Sequence, residues 1–160
     1  MYTTYKNESQ LSQIKKLIEN DLSEPYSIYV YRYFLENWPK YCYLAFDEAH
    51  ENKIIGVVVC KIETVQRLER NMSHGYIAML AVDTGYRNKS IGTNLVSKCV
   101  QAMICDSHVE EIILETEVTN VAALKLYEKL GFIRYKKQLM YYLNGIDAFR
   151  LKLCVNPNFL

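Results

Sequence analysis

Three places in this chain combine residue types and spacings suited to chemistry. The first is Arg87-Asn88-Lys89-Ser90-Ile91-Gly92, which follows the apolar run Met79–Val82 and a short polar loop. Beyond it Leu95, Val96, Cys99 and Val100 recur at helical spacing. A strand that ends in a loop opening a helix aims several backbone N–H groups at one spot, and the helix dipole adds partial positive charge there. The corner suits a polyphosphate; it also reads as a solvated basic turn, with Ser90 as N-cap of the helix. The second place is Glu111–Val118, where Glu115 and Glu117 share one face of a strand and Leu114 and Thr116 the other. A carboxylate next to Ile112, Ile113 and Leu114 needs a reason, and an edge-facing or salt-bridged role competes with proton transfer. The third is the helix face of Asn120, Leu124 and Tyr127, at steps of four and three. A tyrosine there packs under its helix with its hydroxyl on a backbone carbonyl, unless a ligand gives it other work.

These residues need elements to hold them. Leu11, Ile14, Leu17, Ile18 and Leu22 make Ser9–Leu22 an amphipathic helix. The break at Ser23–Pro25 ends it, because proline disfavours helix in the residue before it. A second helix, Tyr26–Asn37, stops before Pro39. Strands are predicted over Tyr41–Phe46, Ile54–Glu63 (after the polar turn DEAHENK) and Tyr76–Val82. Helix Ile91–Cys105, strand Glu111–Val118 and helix Asn120–Leu130 follow, the last stopped by Gly131. The tail reads as strands Phe132–Leu143 and Ala148–Val155 turning at NGID, an Asn-Gly hairpin signal. The order β-α-α-β-β-β-α-β-α-β-β implies an α/β (α+β) fold, a single mixed sheet with helices on both faces.

At 160 residues the chain suits one domain, 1–160, with a real core. A net charge of +1 gives no sign of a nucleic-acid or membrane-surface protein, although Lys125, Lys129, Arg134, Lys136 and Lys137 lie close in sequence. The five cysteines are scattered and odd in number, which predicts reduced thiols in a cytosolic protein and no zinc site or disulfide framework. No apolar run approaches the ~20 residues of a membrane span, and the polar start MYTTYKNES does not read as a signal peptide. The fourteen tyrosines stand out, since an apolar ring with a polar tip suits the wall of a binding groove. Two aromatic stripes run through Tyr26–Trp38: Tyr26, Tyr29, Val30 and Tyr33, and Tyr31, Phe34, Leu35 and Trp38. They exceed what one short helix buries, so some of them are candidates for a subunit interface.

The element order together with Arg87–Gly92 resembles the GCN5-related N-acetyltransferase superfamily. Its motif is Gln/Arg-x-x-Gly-x-Gly/Ala, whose amides hold the pyrophosphate of acetyl-CoA. Ser90 stands here in place of the first glycine, and its side chain adds bulk where backbone approaches phosphate. The segments Asp21–Leu35, Gly75–Val82, Leu114–Arg134 and Tyr141–Phe149 further resemble the NatC-type catalytic subunits of N-terminal acetyltransferases over roughly half the chain. The resemblance implies transfer of acetyl to the α-amine of an N-terminal Met followed by Leu, Ile, Phe or Trp. It also implies two NatC auxiliary subunits, nascent protein N-termini as acceptors, ribosome contact through the complex, and a cytoplasmic location without direct nucleic-acid or membrane binding.

Site residues carry over from the same resemblance. Leu80, Ala81, Val82, Arg87, Asn88, Lys89, Ser90, Ile91, Gly92, Thr93, Asn120, Ala123 and Tyr127 are expected along acetyl-CoA, the backbone of an interrupted strand at Met79–Val82 meeting its pantetheine. Glu24, Pro25 and Tyr26 belong to one wall of the peptide groove, and Leu22, Tyr29, Tyr76, Met79 and Glu115 are also expected to bind substrate. Tyr141 and Tyr142 face them from the final hairpin, where neighbouring strand residues would point oppositely. Glu115 is the expected general base, directly or through a water held with Tyr76, while Glu117 is structural and Tyr127 protonates the departing thiolate. No metal is expected.

The acceptor sets how strong that base must be. An α-amine of pKa about 7.7–8.0 is roughly one-seventh neutral at pH 7, whereas a lysine is neutral in about one molecule in two thousand. Modest base assistance therefore suffices for direct attack of an α-amine in a ternary complex. No cysteine adjoins a recognisable base, so no acyl-cysteine is invoked. Two alternatives share the fold: an acetylase of lysines or small amines, and a non-catalytic acetyl-CoA-binding subunit.

Overall fold

The computed structural model describes residues 1–22 and 24–155. Along them run β1 (Tyr2–Thr4), α1 (Leu11–Asp21), α2 (Ile28–Asn37), β2 (Tyr43–Asp47), β3 (Lys53–Arg67), β4 (Arg70–Val82), α3 (Ile91–Ser107), β5 (Glu111–Glu117), α4 (Val121–Lys129), β6 (Ile133–Gln138) and β7 (Ala148–Cys154). The strands form a seven-stranded mixed sheet in the order β1-β2-β3-β4-β5-β7-β6. The pair β4–β5 is parallel, whereas β1–β2, β2–β3, β5–β7 and β6–β7 are antiparallel. The element order is the one expected from sequence. Ser23, in the break expected at Ser23–Pro25, and residues 156–160 of the expected domain lie outside the described residues. Among the described residues no helix is long and apolar enough to cross a membrane.

Two compact units divide the chain: residues 1–61 with 78–99, and residues 62–77 with the chain from Val100 onward. In the first, Leu11, Ile14, Leu17 and Ile18 of α1 are buried at the spacing the sequence displays, beside Tyr31, Phe34 and Leu35 of α2 and Val57 and Val59 of β3. Each such side chain contributes about 1.5–3 kcal/mol by leaving water. Of the two aromatic stripes, the one containing Tyr31 faces this core, while Tyr29 and Tyr33 are exposed. In the second unit the buried residues include Met103, Ile112, Leu114, Leu124, Tyr127, Phe132 and Leu151.

Three elements differ from the sequence reading. Strands β3 and β4 run on to Arg67 and back from Arg70, well past the expected Glu63 and Tyr76. Apart from buried His74 and Gly75 their extensions are half-buried or exposed, so pairing holds them where no apolar pattern announces a strand. β4 is also unbroken to Val82, not interrupted at Met79–Val82; its register with β5 is confined to His74↔Glu111, Gly75↔Ile112 and Tyr76↔Ile113.

The third difference lies in the final hairpin. β6 ends at Gln138, paired with Ala148, rather than at Leu143, so residues 139–147 form the connection. The chain turns at Asn144-Gly145 as expected, the Gly145 N–H donating to the Tyr142 carbonyl (2.9 Å), but it does so outside the ladder. Asp147 draws the chain out of the ladder: its Oδ1 accepts from the Met140 N–H (2.8 Å) and its carbonyl from the Val118 N–H (3.0 Å). The end of α4 follows expectation. Gly131 takes φ +99°, its N–H donates to the Glu128 carbonyl, and the Phe132 N–H donates to the Tyr127 carbonyl. That pair of bonds is a Schellman stop, and only glycine enters that backbone region without strain.

Candidate active site

Three strands of the second unit bring together the residues that handle charge. The Tyr76 hydroxyl on β4 donates to Glu115 Oε2 on β5, in a short contact. Arg150 on β7 lies directly opposite Glu115 in the β5–β7 register, and its Nε (3.0 Å) and Nη2 (2.9 Å) both reach Glu115 Oε1. The Glu115 side chain is 6% exposed and that of Arg150 31%. Burial acts to lower the Arg150 pKa, but the hydrogen bond and charge of Glu115 outweigh it and hold the guanidinium above its ordinary value. Glu115 is therefore salt-bridged, one of the readings its sequence left open, and also in contact with Tyr76.

Arg150 was not anticipated. The signal available was a positive residue within the alternating strand FRLKL, but its partner lies 35 residues away and depends on register.

Glu117, on the same face, braces the hairpin connection: its Oε1 accepts from Asn144 Nδ2 (3.2 Å) and its Oε2 from the Thr119 hydroxyl (3.3 Å). Tyr141 and Tyr142 sit in that connection rather than on a strand, so alternation does not set their directions. Their rings meet edge to face at 5.0 Å, with Tyr141 exposed and Tyr142 half-buried. At the head of α4, Asn120 Oδ1 accepts from the Ala123 N–H (3.1 Å), a capping bond that fixes where the helix starts. The buried Tyr127 ring lies edge-on to Phe132 at 5.5 Å, so the Schellman stop also anchors the tyrosine.

The first unit carries the anion corner. Leu80, Ala81 and Val82 end β4, and the Asp83 N–H donates to the Ile55 carbonyl (2.8 Å). Asp83 Oδ1 accepts from the Gly85 N–H (3.0 Å) and Oδ2 from Lys53 Nζ (2.8 Å); the Lys53 bond and then the Gly85 bond hold its carboxyl below the usual value. The Tyr86 hydroxyl donates to Asp47, while Lys53 and Lys89 approach its ring at 5.6 and 5.3 Å. The loop is thus mounted before Arg87 begins.

Asn88 (φ +59°) and Ser90 (φ +61°) are both left-handed, and Lys89 between them is not. Alternation of this kind turns successive N–H groups into one concavity that suits an anion. Ser90 differs from the expected capping serine. Its carbonyl accepts from the Asn94 N–H (2.9 Å), as an N-cap's does, but its backbone takes the left-handed region that favours glycine instead of the extended one of a side-chain cap. Ile91 is buried, Gly92 and Thr93 half-buried in the first turn of α3. The Arg87 guanidinium pairs with Asp21, the last residue of α1.

Leu22 and Tyr26 pack on the core of this unit, Tyr26 edge-on to Tyr31 at 6.1 Å. Glu24 is half-buried, Pro25 exposed and Tyr29 75% exposed. Met79 is 3% exposed within the core cluster, so its side chain is spent on packing.

Residues 11–132 match the model of the acetyltransferase (GNAT) family. N-alpha-acetyltransferase 30 of Saccharomyces cerevisiae is 49% identical over 164 residues, covering 97% of this chain and 90% of that protein. The chain belongs to the GNAT acetyltransferases, among the relatives of N-alpha-acetyltransferase 30. The Xenopus laevis protein of that name is 53% identical over 152 residues, 95% of this chain but 53% of its own length. The chain thus spans about half the length of this curated relative. A chain in the crystal structure of the NatC complex bound to Gag peptide and CoA has a TM-score of 0.91 and 48% identity, covering 98% of both chains. The GNAT fold expected from the loop and the element order is therefore the fold of this chain.

Proposed function

We propose that this GNAT chain is the catalytic subunit of a NatC-type N-terminal acetyltransferase, its units acting as one domain. It would move acetyl from acetyl-CoA to the α-amine of Met in proteins with a bulky apolar second residue. The Tyr76–Glu115 pair carries the reading: an almost buried carboxylate joined to a phenol is a modest proton acceptor, matched to an amine already partly neutral at pH 7. Likeness to N-alpha-acetyltransferase 30 supports the acceptor class, and likeness to a chain of a NatC complex that binds Gag peptide and CoA supports both ligands.

The left-handed pair Asn88 and Ser90 before α3 fits the pyrophosphate of acetyl-CoA, and the residues from Leu80 to Thr93 with Asn120 and Ala123 would hold the molecule. Acetyl-CoA, when bound, supplies an acetyl thioester as electrophile. Glu115, through Tyr76 or a water held with it, takes the proton lost by the attacking amine, and Tyr127 returns a proton to the departing sulfur. No acyl-enzyme is required. Holding amine and carbonyl in line contributes several kcal/mol more. Exposed Leu139, Met140, Tyr141 and Leu143 beside the hairpin, and Pro25, Tyr26 and Tyr29 on the α1–α2 side, have the apolar character that a bulky second residue needs. Exposed Tyr29 and Tyr33 suit contact with two auxiliary subunits, and through them a ribosome in the cytoplasm.

The test is acetyl transfer to three peptides: one beginning Met-Leu, one beginning Ser-Glu, and one blocked at its N-terminus with an internal lysine. Transfer to Met-Leu alone is expected. Transfer to the blocked peptide would make the chain a lysine acetylase, and acetyl-CoA binding without any transfer would make it a non-catalytic subunit.

A further inference from the structure

We propose that Arg150 is a positioning residue for acetyl transfer, holding the Glu115 carboxylate so that one oxygen is kept for Tyr76. The proposal rests on the reading of Glu115 and Tyr76 as the proton-accepting pair. An arginine facing a carboxylate usually spreads its fork over both oxygens. Here Nε and Nη2 converge on Oε1 at 3.0 and 2.9 Å, and Oε2 receives the Tyr76 hydroxyl. The division fixes the carboxylate plane while leaving the oxygen turned to Tyr76 unoccupied by the guanidinium. A lysine, with a single ammonium on a flexible stem, cannot reproduce that double contact.

The strand on the far side of Arg150 is irregular at this level. β6 shifts register between Arg134 and Lys136, which makes Tyr135 the extra residue of a bulge on that strand. A bulge re-aims the side chain at its centre, and Tyr135 is near enough to add to the influences that hold the Arg150 guanidinium above its ordinary value. Lys152 Nζ lies over the same ring at 5.0 Å. Arg150, Glu115 and Tyr76 thus form one linked row across β7, β5 and β4, neighbours in the sheet, with the bulged Tyr135 next in line on β6. A cross-strand pair kept only for stability would not need the third strand's bulge or the division of oxygens.

Kinetics of Arg150→Gln, Arg150→Lys and Arg150→Ala on a Met-Leu peptide test the role. For Arg150→Gln, kcat should fall at least tenfold while KM for peptide and acetyl-CoA stays within about twofold. Arg150→Lys should recover part of the loss, and millimolar guanidinium should restore part of the activity of Arg150→Ala. Tyr135→Phe, acting through Arg150, should lose less than Arg150→Gln. An Arg150→Gln enzyme with unchanged kcat would overturn the proposal, as would equal losses in the Gln and Lys variants without guanidinium rescue. A second readout needs no turnover: the ¹³C resonance of the Glu115 carboxyl, identified by its loss in Glu115→Gln, should move in Arg150→Gln. If the wild-type chain transfers nothing, the acetylation reading fails on its own. The resonance then decides the positioning, and an unmoved one refutes it.

Discussion

At the scale of the residue, Glu115 has two partners with different consequences. Arg150 supplies charge to one oxygen and Tyr76 a hydroxyl to the other, so loss of either partner changes what the carboxylate can do without emptying the site. Tyr127 is placed by Phe132 and by the glycine behind it. Glu115→Gln and Tyr127→Phe should each lower turnover on a Met-Leu peptide at least tenfold, while acetyl-CoA binding by calorimetry stays intact. Both keep their volume, so a fall in binding instead of turnover would remove the proton-transfer roles. The existence of these two side chains was legible from strand alternation and helix spacing. Arg150 was not, because a cross-strand partner is set by register and nothing local to FRLKL reports it.

Among the elements, two turns solve the same backbone problem with different residues. Gly131 stops α4 at φ +99°, where a Cβ would also sit 3.3 Å from Leu153. Ser90 opens α3 at φ +61° with a side chain that this region disfavours by roughly 1–2 kcal/mol. Substitutions should therefore move stability in opposite directions. Gly131→Ala is expected to cost about 1–3 kcal/mol. Ser90→Gly should gain up to about 1 kcal/mol, the relief of strain being offset in part by the greater freedom of glycine in the unfolded chain. Urea titrations of the two variants read both signs; a destabilised Ser90→Gly would mean that the serine side chain contributes more than its backbone costs. The sequence marked both positions, the glycine as a helix stop and the serine as a departure from a glycine motif. It found the turn at Asn144-Gly145 but ran β6 too far, to Leu143, because a turn signal is local and Asp147 binds Met140 from across the loop.

The whole molecule holds some protons more tightly folded than unfolded. Burial pushes the Cys42 thiol from 9.0 up to about 12 and the Tyr31 hydroxyl from 10.0 up to about 12. Cys60, in the same buried group, is raised by burial and by Cys99. For a raised folded value, the stabilisation is complete below the unfolded value and disappears as pH climbs toward the folded one. Stability should hold to about pH 9 and then decline toward pH 12, by on the order of a few kcal/mol. Urea midpoints at pH 8, 10 and 11 would show it, and Cys42→Ala should flatten the first part of the decline. A midpoint independent of pH across that range would mean that these groups titrate alike in both states.

What the sequence determined by itself was whatever repeats within a few residues. The apolar period placed α1, the alternation marked the face of Glu115 and Glu117, and Arg87–Gly92 announced an anion corner through backbone rules that act locally. The tertiary structure decided the pairings: Tyr76 with Glu115 across 39 residues, Arg150 with Glu115 across 35, and the bulge at Tyr135 beside Arg150. It also decided which aromatic stripe of α2 is buried and that residues 139–147 leave the ladder. The physical reason is common to all of these. Register and packing are fixed by partners distant in the chain, and a one-residue slip would present the opposite face of every strand involved.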